Sequence, residues 1–99
     1  MEVEVRGKKY KVIKDFGETV STIDFNEIVT DYYDNFDYIV GDWAYGKVRL
    51  KGFYNNNHKL VKNFNNIDNV DDYINNSCAY GCKHFILEKI KNKTVEKQD

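Results

Sequence analysis

Apolar and charged side chains alternate over residues 2–6 and again over residues 9–14. Alternation places every second side chain on the same face of a strand. Gly7-Lys8, between the two segments, supplies turn chemistry. The pattern predicts an N-terminal β-hairpin.

The spacing of apolar positions changes after Asp24. Asp24 with Glu27 matches a capping box, and Ile23 with Ile28 fits a hydrophobic staple. Apolar residues then recur three or four positions apart, as on one face of a helix. The pattern therefore predicts a helix that begins at Asp24 and carries Phe25, Ile28, Val29, Tyr32, Tyr33 and Phe36 on its buried face.

A second hairpin is predicted over residues 38–54. Residues 38–40 form a short apolar strand that ends at Gly41, and residues 42–46 form a turn or bulged loop. The following strand, 47–54, alternates cleanly. Its Val48 and Leu50 share one face, and the other face carries Lys47, Arg49, Lys51 and Phe53.

The C-terminal third predicts one more helix and one more strand. Asn66 is a good helix cap, and Ile67, Val70, Ile74 and Cys78 recur at helical spacing. Gly81 suits the residue just past the helix end. Residues 83–90 are apolar on both faces, as in the central strand of a sheet.

These elements predict an α+β fold of order β-β-α-β-β-α-β, a small and mostly antiparallel sheet with two helices. We expect both helices on one face of the sheet. We expect residues 1–91 to form a single domain and residues 92–99 to form a polar, disordered tail. Without its first strand, the order matches the ferredoxin-like arrangement of RNA recognition motifs, an analogy of fold alone.

Composition narrows the possible functions. The 99 residues are 41% hydrophobic and 15% aromatic, enough to fold without cross-links. The net charge of −1 does not indicate general attraction to nucleic acid or membranes. Because no export signal and no apolar run of about 20 residues is present, we expect a cytoplasmic protein without a membrane partner.

Two segments resemble the YutD-like family of small bacterial proteins. They are residues 38–53, YIVGDWAYGKVRLKGF, and residues 78–82, CAYGC. The resemblance covers most of the chain up to about Ile90 and is weakest in the Asn-rich stretches 55–57 and 63–66. It implies an intracellular α+β domain. It implies no catalytic residue, because the family has no established activity.

Charge is distributed unevenly along the chain. Residues 15–46 hold eight acids and no Lys or Arg, whereas residues 47–64 hold five Lys or Arg and no acid. Cations and rings that converge on one surface suit single-stranded RNA or a ribonucleoprotein. The predicted patch comprises Trp43, Tyr45, Lys47, Arg49, Lys51 and Phe53. The alternative is an exposed strand face with Trp43 as a core anchor.

Glu27, Asp31 and Asp34 fall on one outward stripe of the first predicted helix. Such a stripe is either a solvated helix face or a docking surface for a basic protein partner. The second hypothesis makes the chain a protein-interaction adaptor.

No catalytic, metal or cofactor site is predicted. We expect Cys78 and Cys82 to be buried and, because thiols usually stay reduced in the cytosol, reduced. We also expect them to be metal-free, since their spacing with His58 and His84 is not diagnostic of zinc. His84 and Glu88 share a strand face but lie about 13 Å apart. The glycines form no phosphate loop. An enzyme hypothesis would have to centre on Asp42 and Arg49.

Overall fold

Five antiparallel strands form the frame of the structure, a computed structural model that describes residues 1–77 and 82–90. The sheet has the order β1-β2-β5-β3-β4. The strands are β1 Glu2–Val5, β2 Lys8–Phe16, β3 Tyr38–Ala44, β4 Lys47–Phe53 and β5 His84–Lys89.

The last strand in sequence is the central strand of the sheet. β5 pairs with β2 on one side and with β3 on the other. Phe85 and Leu87 are fully buried on one face of β5, and Ile86 is buried on the opposite face. The central position that the apolar pattern of residues 83–90 predicted is confirmed.

Both hairpins close through two residues with positive φ. The turns are Arg6-Gly7, at 54° and 78°, and Tyr45-Gly46, at 53° and 75°. Turns of this kind match the twist of the strands they join. The second turn is shorter than predicted, because residues 42–44 continue β3 and do not form a loop.

The first predicted helix is wrong in extent. Helix α1 covers only Phe25–Ile28, and a separate 3₁₀ turn follows at Asp31–Tyr33. Val29 and Thr30 are extended, and the Thr30 hydroxyl accepts a hydrogen bond from the Tyr32 N–H. β-branched residues such as Val and Thr have a low helix propensity. A Thr side chain also forms hydrogen bonds with nearby backbone groups that compete with those of a helix. Asp24 precedes α1 as expected, but its side chain makes no capping hydrogen bond.

The second helix begins close to where it was predicted. The Asn66 side chain caps a 3₁₀ turn, Ile67–Asn69, that leads into α2, Val70–Ser77. The predicted helix end at Cys78 and Gly81 and the predicted tail 92–99 lie outside the described residues. Within the ranges that the structure covers, neither helix has the length and apolar content needed to cross a membrane.

The two helices pack on opposite faces of the sheet, so the prediction that they share a face is wrong. On one face, Phe25 and Val29 pack with the Phe85 side of β5. On the other, Ile74 of α2 packs with Ile86 and neighbouring side chains. Since β5 is apolar on both sides, each face requires cover. The α+β class is confirmed, but the one-sided helix layer of the RNA recognition analogy is absent from the described chain.

The backbone at Gly41 packs directly against the ring of Phe85, and this contact leads to a prediction. A Cβ added at Gly41 would collide with the ring of Phe85. Gly41→Ala should therefore lower the free energy of unfolding by about 1–3 kcal/mol, measured by urea denaturation. Phe85→Leu in the same chain should make the added cost of Gly41→Ala smaller. Equal costs in both backgrounds would contradict the packing described.

One buried and two half-buried tyrosines predict a loss of stability at alkaline pH. Burial raises the pKa of Tyr10, Tyr33 and Tyr38 above the ordinary value of 10.0. Above that pH the unfolded chain binds fewer protons than the folded chain, so stability falls as pH rises. In urea titrations across this pH range, Tyr10→Phe should reduce the fall of the free energy of unfolding with pH. Tyr45→Phe is the matched control, because the Tyr45 ring is fully exposed. An unchanged slope in Tyr10→Phe would contradict the assignment.

Candidate functional site

β4 presents its cations as the alternation predicted. Val48 and Leu50 pack on the α1 side of the sheet, whereas Phe53 packs on the α2 side, which it shares with the alternate positions 47, 49 and 51. β4 is an edge strand. Lysines on an edge strand commonly discourage pairing with other chains, so their presence alone does not indicate a ligand.

The predicted aromatic members of the basic patch do not gather on one surface. Phe53 is fully buried beneath α2. Trp43 is half-buried on the opposite face, with its ring 6.1 Å from that of Phe85. Tyr45 lies in the hairpin turn and is fully exposed. Trp43 and Phe53 are therefore core anchors in this fold.

Arg49 is engaged by a buried carboxylate. Its Nε donates to Asp42 Oδ1 at 3.1 Å, and a terminal nitrogen donates to Oδ2 at 2.9 Å. The Asp42 side chain is fully buried, whereas that of Arg49 is 45% exposed. The hydrogen bond and charge of Asp42 raise the pKa of Arg49. This bidentate pair closes the end of the second hairpin and leaves Arg49 less available to an external anion.

His84 stands in the same row across the sheet. It pairs in register with Asp42 on one side and with Phe16 on the other. Its Nδ1 lies 3.1 Å from the Cys82 carbonyl oxygen and so carries the proton. Nε2 is buried without a hydrogen-bond partner among the described residues, and the Phe16 ring stacks over the imidazole at 5.2 Å. Neighbouring positions of the sheet thus hold the Asp42–Arg49 ion pair and the imidazole of His84, which the Phe16 ring covers.

Lys51 lies among three rings. Its ammonium is 5.4 Å from the ring centroid of Phe53, 5.3 Å from that of Phe64 and 5.6 Å from that of Tyr73. Lys51, Phe64 and Tyr73 line an open groove of about 670 Å³. Sequence reasoning missed Phe64, because it lies in an Asn-rich stretch that departs from the family pattern. The turn-forming Asn residues around it were the available signal.

The predicted acidic stripe does not exist as a helix face. Glu27 and Asp31 are exposed, but they lie on α1 and on the separate 3₁₀ turn. Asp34 contacts the N-terminal hairpin, 3.7 Å from Arg6 and 3.5 Å from Lys8. Asp34 therefore stabilises the fold, and only the other two acids remain for an external partner.

The eight acids of residues 15–46 divide into two groups. Four are used within the fold: Asp15, Asp34, Asp37 and Asp42. The other four are exposed, and their side chains make no hydrogen bond or ion pair with any described residue. This second group is Glu18, Asp24, Glu27 and Asp31.

The expectation of reduced cysteines is wrong for Cys82, which is half-buried and disulfide-bonded. Cys78, the only other cysteine of the sequence, lies outside the described residues. The expectation rested on the cellular compartment alone, whereas two cysteines four positions apart are near enough for a disulfide.

His58 stacks on Tyr54 at 4.1 Å, and its Nδ1 accepts the Leu60 N–H. Over residues 1–77 and 82–90, no cluster of metal-ligating side chains is found.

Comparison with known proteins gives one consistent result. The model of a family described as "Putative antitoxin YutD-like" matches residues 4–88. A Bacillus subtilis (strain 168) protein named "Putative antitoxin YutD" is 31% identical over 87 residues, which cover 88% of this chain and 96% of that protein. The solution NMR structure of protein yutD from B. subtilis has a TM-score of 0.75 at 29% identity, covering 93% of this chain and 84% of that one. The resemblance seen in the sequence is confirmed.

The Asp42–Arg49 pair predicts an asymmetric mutational response. Arg49→Met leaves a buried carboxylate without its cation and should lower the melting temperature clearly more than Lys47→Met on the same strand. Asp42→Asn/Arg49→Met removes both charges and should lose less than Arg49→Met alone. Circular dichroism melts check this order. A double variant that is less stable than Arg49→Met would contradict the role of the pair.

Proposed function

We propose, because this chain belongs to the YutD-like family, that it is a non-enzymatic binding protein of the bacterial cytoplasm. In this proposal it acts as an antitoxin and holds a basic protein partner against its acidic surface. We define the acidic surface as Asp24, Glu27, Asp31 and Tyr32. The names of the relatives support the antitoxin role, and the exposed acids support the choice of surface.

The observation that carries the proposal is the group of acids that the fold does not use. Asp24, Glu27 and Asp31 lie close together in sequence, are exposed, and have no ion pair among the described residues. Between them, Phe25 and Val29 are buried and hold the segment against the sheet. A rigid support with uncompensated negative charge attracts a basic protein and speeds encounter.

Tyr32 adds an apolar anchor to the charges. It is 66% exposed, yet its ring lies 4.9 Å from that of Tyr33 and 5.5 Å from that of Phe36. Phe36 in turn stacks on the buried Tyr54 at 4.7 Å. Exposed tyrosines held by neighbours lose little entropy on binding and often dominate interface energies. The combination of acids and an ordered tyrosine favours a protein partner.

The basic strand face offers less support for RNA as the main partner. Of its six predicted residues, Phe53 is buried, Trp43 faces the other side, and Arg49 is paired with Asp42. On the N-terminal hairpin, Lys11 lies opposite Glu2 and Lys9 opposite Glu4, so those charges balance across the strands. No broad cationic surface results from these residues.

The test begins with a tagged chain cross-linked to its partner in cells, followed by purification of that partner. Titration calorimetry at low and moderate salt then measures Kd for the wild type, for Glu27→Gln/Asp31→Asn and for Tyr32→Ala. We expect affinity to fall with salt and to weaken about tenfold or more in each variant, a change of ~1.4 kcal/mol or more. The double variant should also show a weaker dependence on salt.

Glu2→Gln/Glu4→Gln is the matched control, because it removes the same charge from an exposed strand elsewhere. It should leave Kd within about twofold of the wild type. Equal loss in the control would show that net charge, and not the acidic surface, governs binding. A partner bound equally well by Glu27→Gln/Asp31→Asn and Tyr32→Ala would overturn the proposal.

A further inference from the structure

The groove on the α2 side carries an exposed but rigid aromatic ring. Phe64 is 65% exposed and lies in a 3₁₀ turn, Asn63–Asn65. The Lys62 N–H donates to Asn65 Oδ1 at 2.7 Å, and the Tyr54 N–H donates to the Asn65 carbonyl at 2.7 Å. Asn69 Nδ2 donates to the Asn63 carbonyl at 3.0 Å. The ring is therefore a preorganised stacking platform for a planar ligand.

A cation without a carboxylate lies beside this platform. Lys51 is half-buried, its ammonium meets three rings, and no described carboxylate lies within 4.0 Å of that ammonium. Cation–π contacts stabilise an ammonium but do not neutralise it. An anionic group that enters the groove would therefore supply a negative charge next to the Lys51 ammonium.

The groove also offers hydrogen-bonding groups that the fold leaves unused. The side-chain amides of Asn63 and Asn76 line it and make no hydrogen bond with any described residue. Asp72 lines it as well, as an acceptor. An amide presents a donor and an acceptor side by side, which matches the edges of nucleobases. A carboxylate accepts from the 2′-hydroxyl that distinguishes RNA from DNA.

We propose that this groove binds single-stranded RNA, with one base stacked on Phe64 and a phosphate at Lys51. A cation, a planar ring and free amides within one groove are the elements of single-strand recognition. Lys47 shares the face of Lys51 on β4, two steps of about 7 Å away, and extends the path for the backbone. The groove lies on the α2 side, away from the acidic surface, and the inference does not depend on the protein partner.

The groove overlaps the patch predicted from the sequence only at Lys51. Lys51 is retained from it, whereas the stacking role passes from Trp43 and Phe53 to Phe64. The rings of Trp43 and Phe53 are engaged in the two cores, but that of Phe64 is accessible. Single strands fit this site better than duplexes, because only unpaired bases are free to stack on a side chain.

The test is fluorescence anisotropy with short, labelled single-stranded RNA at low and moderate salt. Phe64→Ala should weaken binding about 5- to 150-fold, the loss expected for one stacked base, whereas Phe64→Trp should retain it. Lys51→Met should weaken binding and reduce the slope of log affinity against log salt by about one. A DNA strand of the same sequence should bind more weakly.

Leu60→Ala is the matched control, since Leu60 is a 53% exposed apolar residue of the same loop that does not line the groove. It should bind RNA like the wild type, as should Glu27→Gln/Asp31→Asn, which separates this result from that of the protein partner. Unchanged circular dichroism spectra verify folding. Absence of saturable RNA binding, equal affinity in Phe64→Ala, or binding of a peptide but not RNA would overturn the proposal.

Discussion

The requirement that both faces of β5 be covered determines the arrangement of this protein. A central strand with Phe85 and Leu87 on one side and Ile86 on the other cannot face water on either side without a large cost in apolar exposure. The chain therefore divides its connecting segments between the two faces. The segment around α1 covers one face, and α2 covers the other.

This division also separates the two candidate surfaces. The connection from β2 to β3 carries the unused acids and Tyr32 on the α1 side. The connection from β4 to β5 carries Phe64 and the groove on the α2 side. Charges nearer the sheet serve the fold: Asp42 holds Arg49, and Asp37 accepts the Asn55 N–H. The uneven charge along the sequence thus becomes two chemically different faces in space.

Much of the fold could be predicted, because the spacing of apolar residues along the chain shows which side of a helix or strand is buried. The element order, the alternation of β4, the cap at Asn66 and the central place of the last strand all follow from local patterns. The length of the first helix did not follow, because the same apolar spacing fits a short helix, an extended break at Val29 and Thr30, and a 3₁₀ turn. The faces of the helices were also missed, since a pattern that is apolar on both sides of a strand does not say which segment covers which side.

The candidate surfaces were less predictable than the fold for a physical reason. Whether Trp43, Phe53 or Phe64 is exposed depends on tertiary packing, and whether an acid is free depends on distant partners such as Arg6 and Lys8 for Asp34. Hydrogen exchange of the purified complex with the protein partner tests the central claim most directly. The account predicts slowed exchange at residues 24–33 on binding and no change at residues 62–76. Protection confined to residues 62–76, with residues 24–33 unaffected, would contradict it.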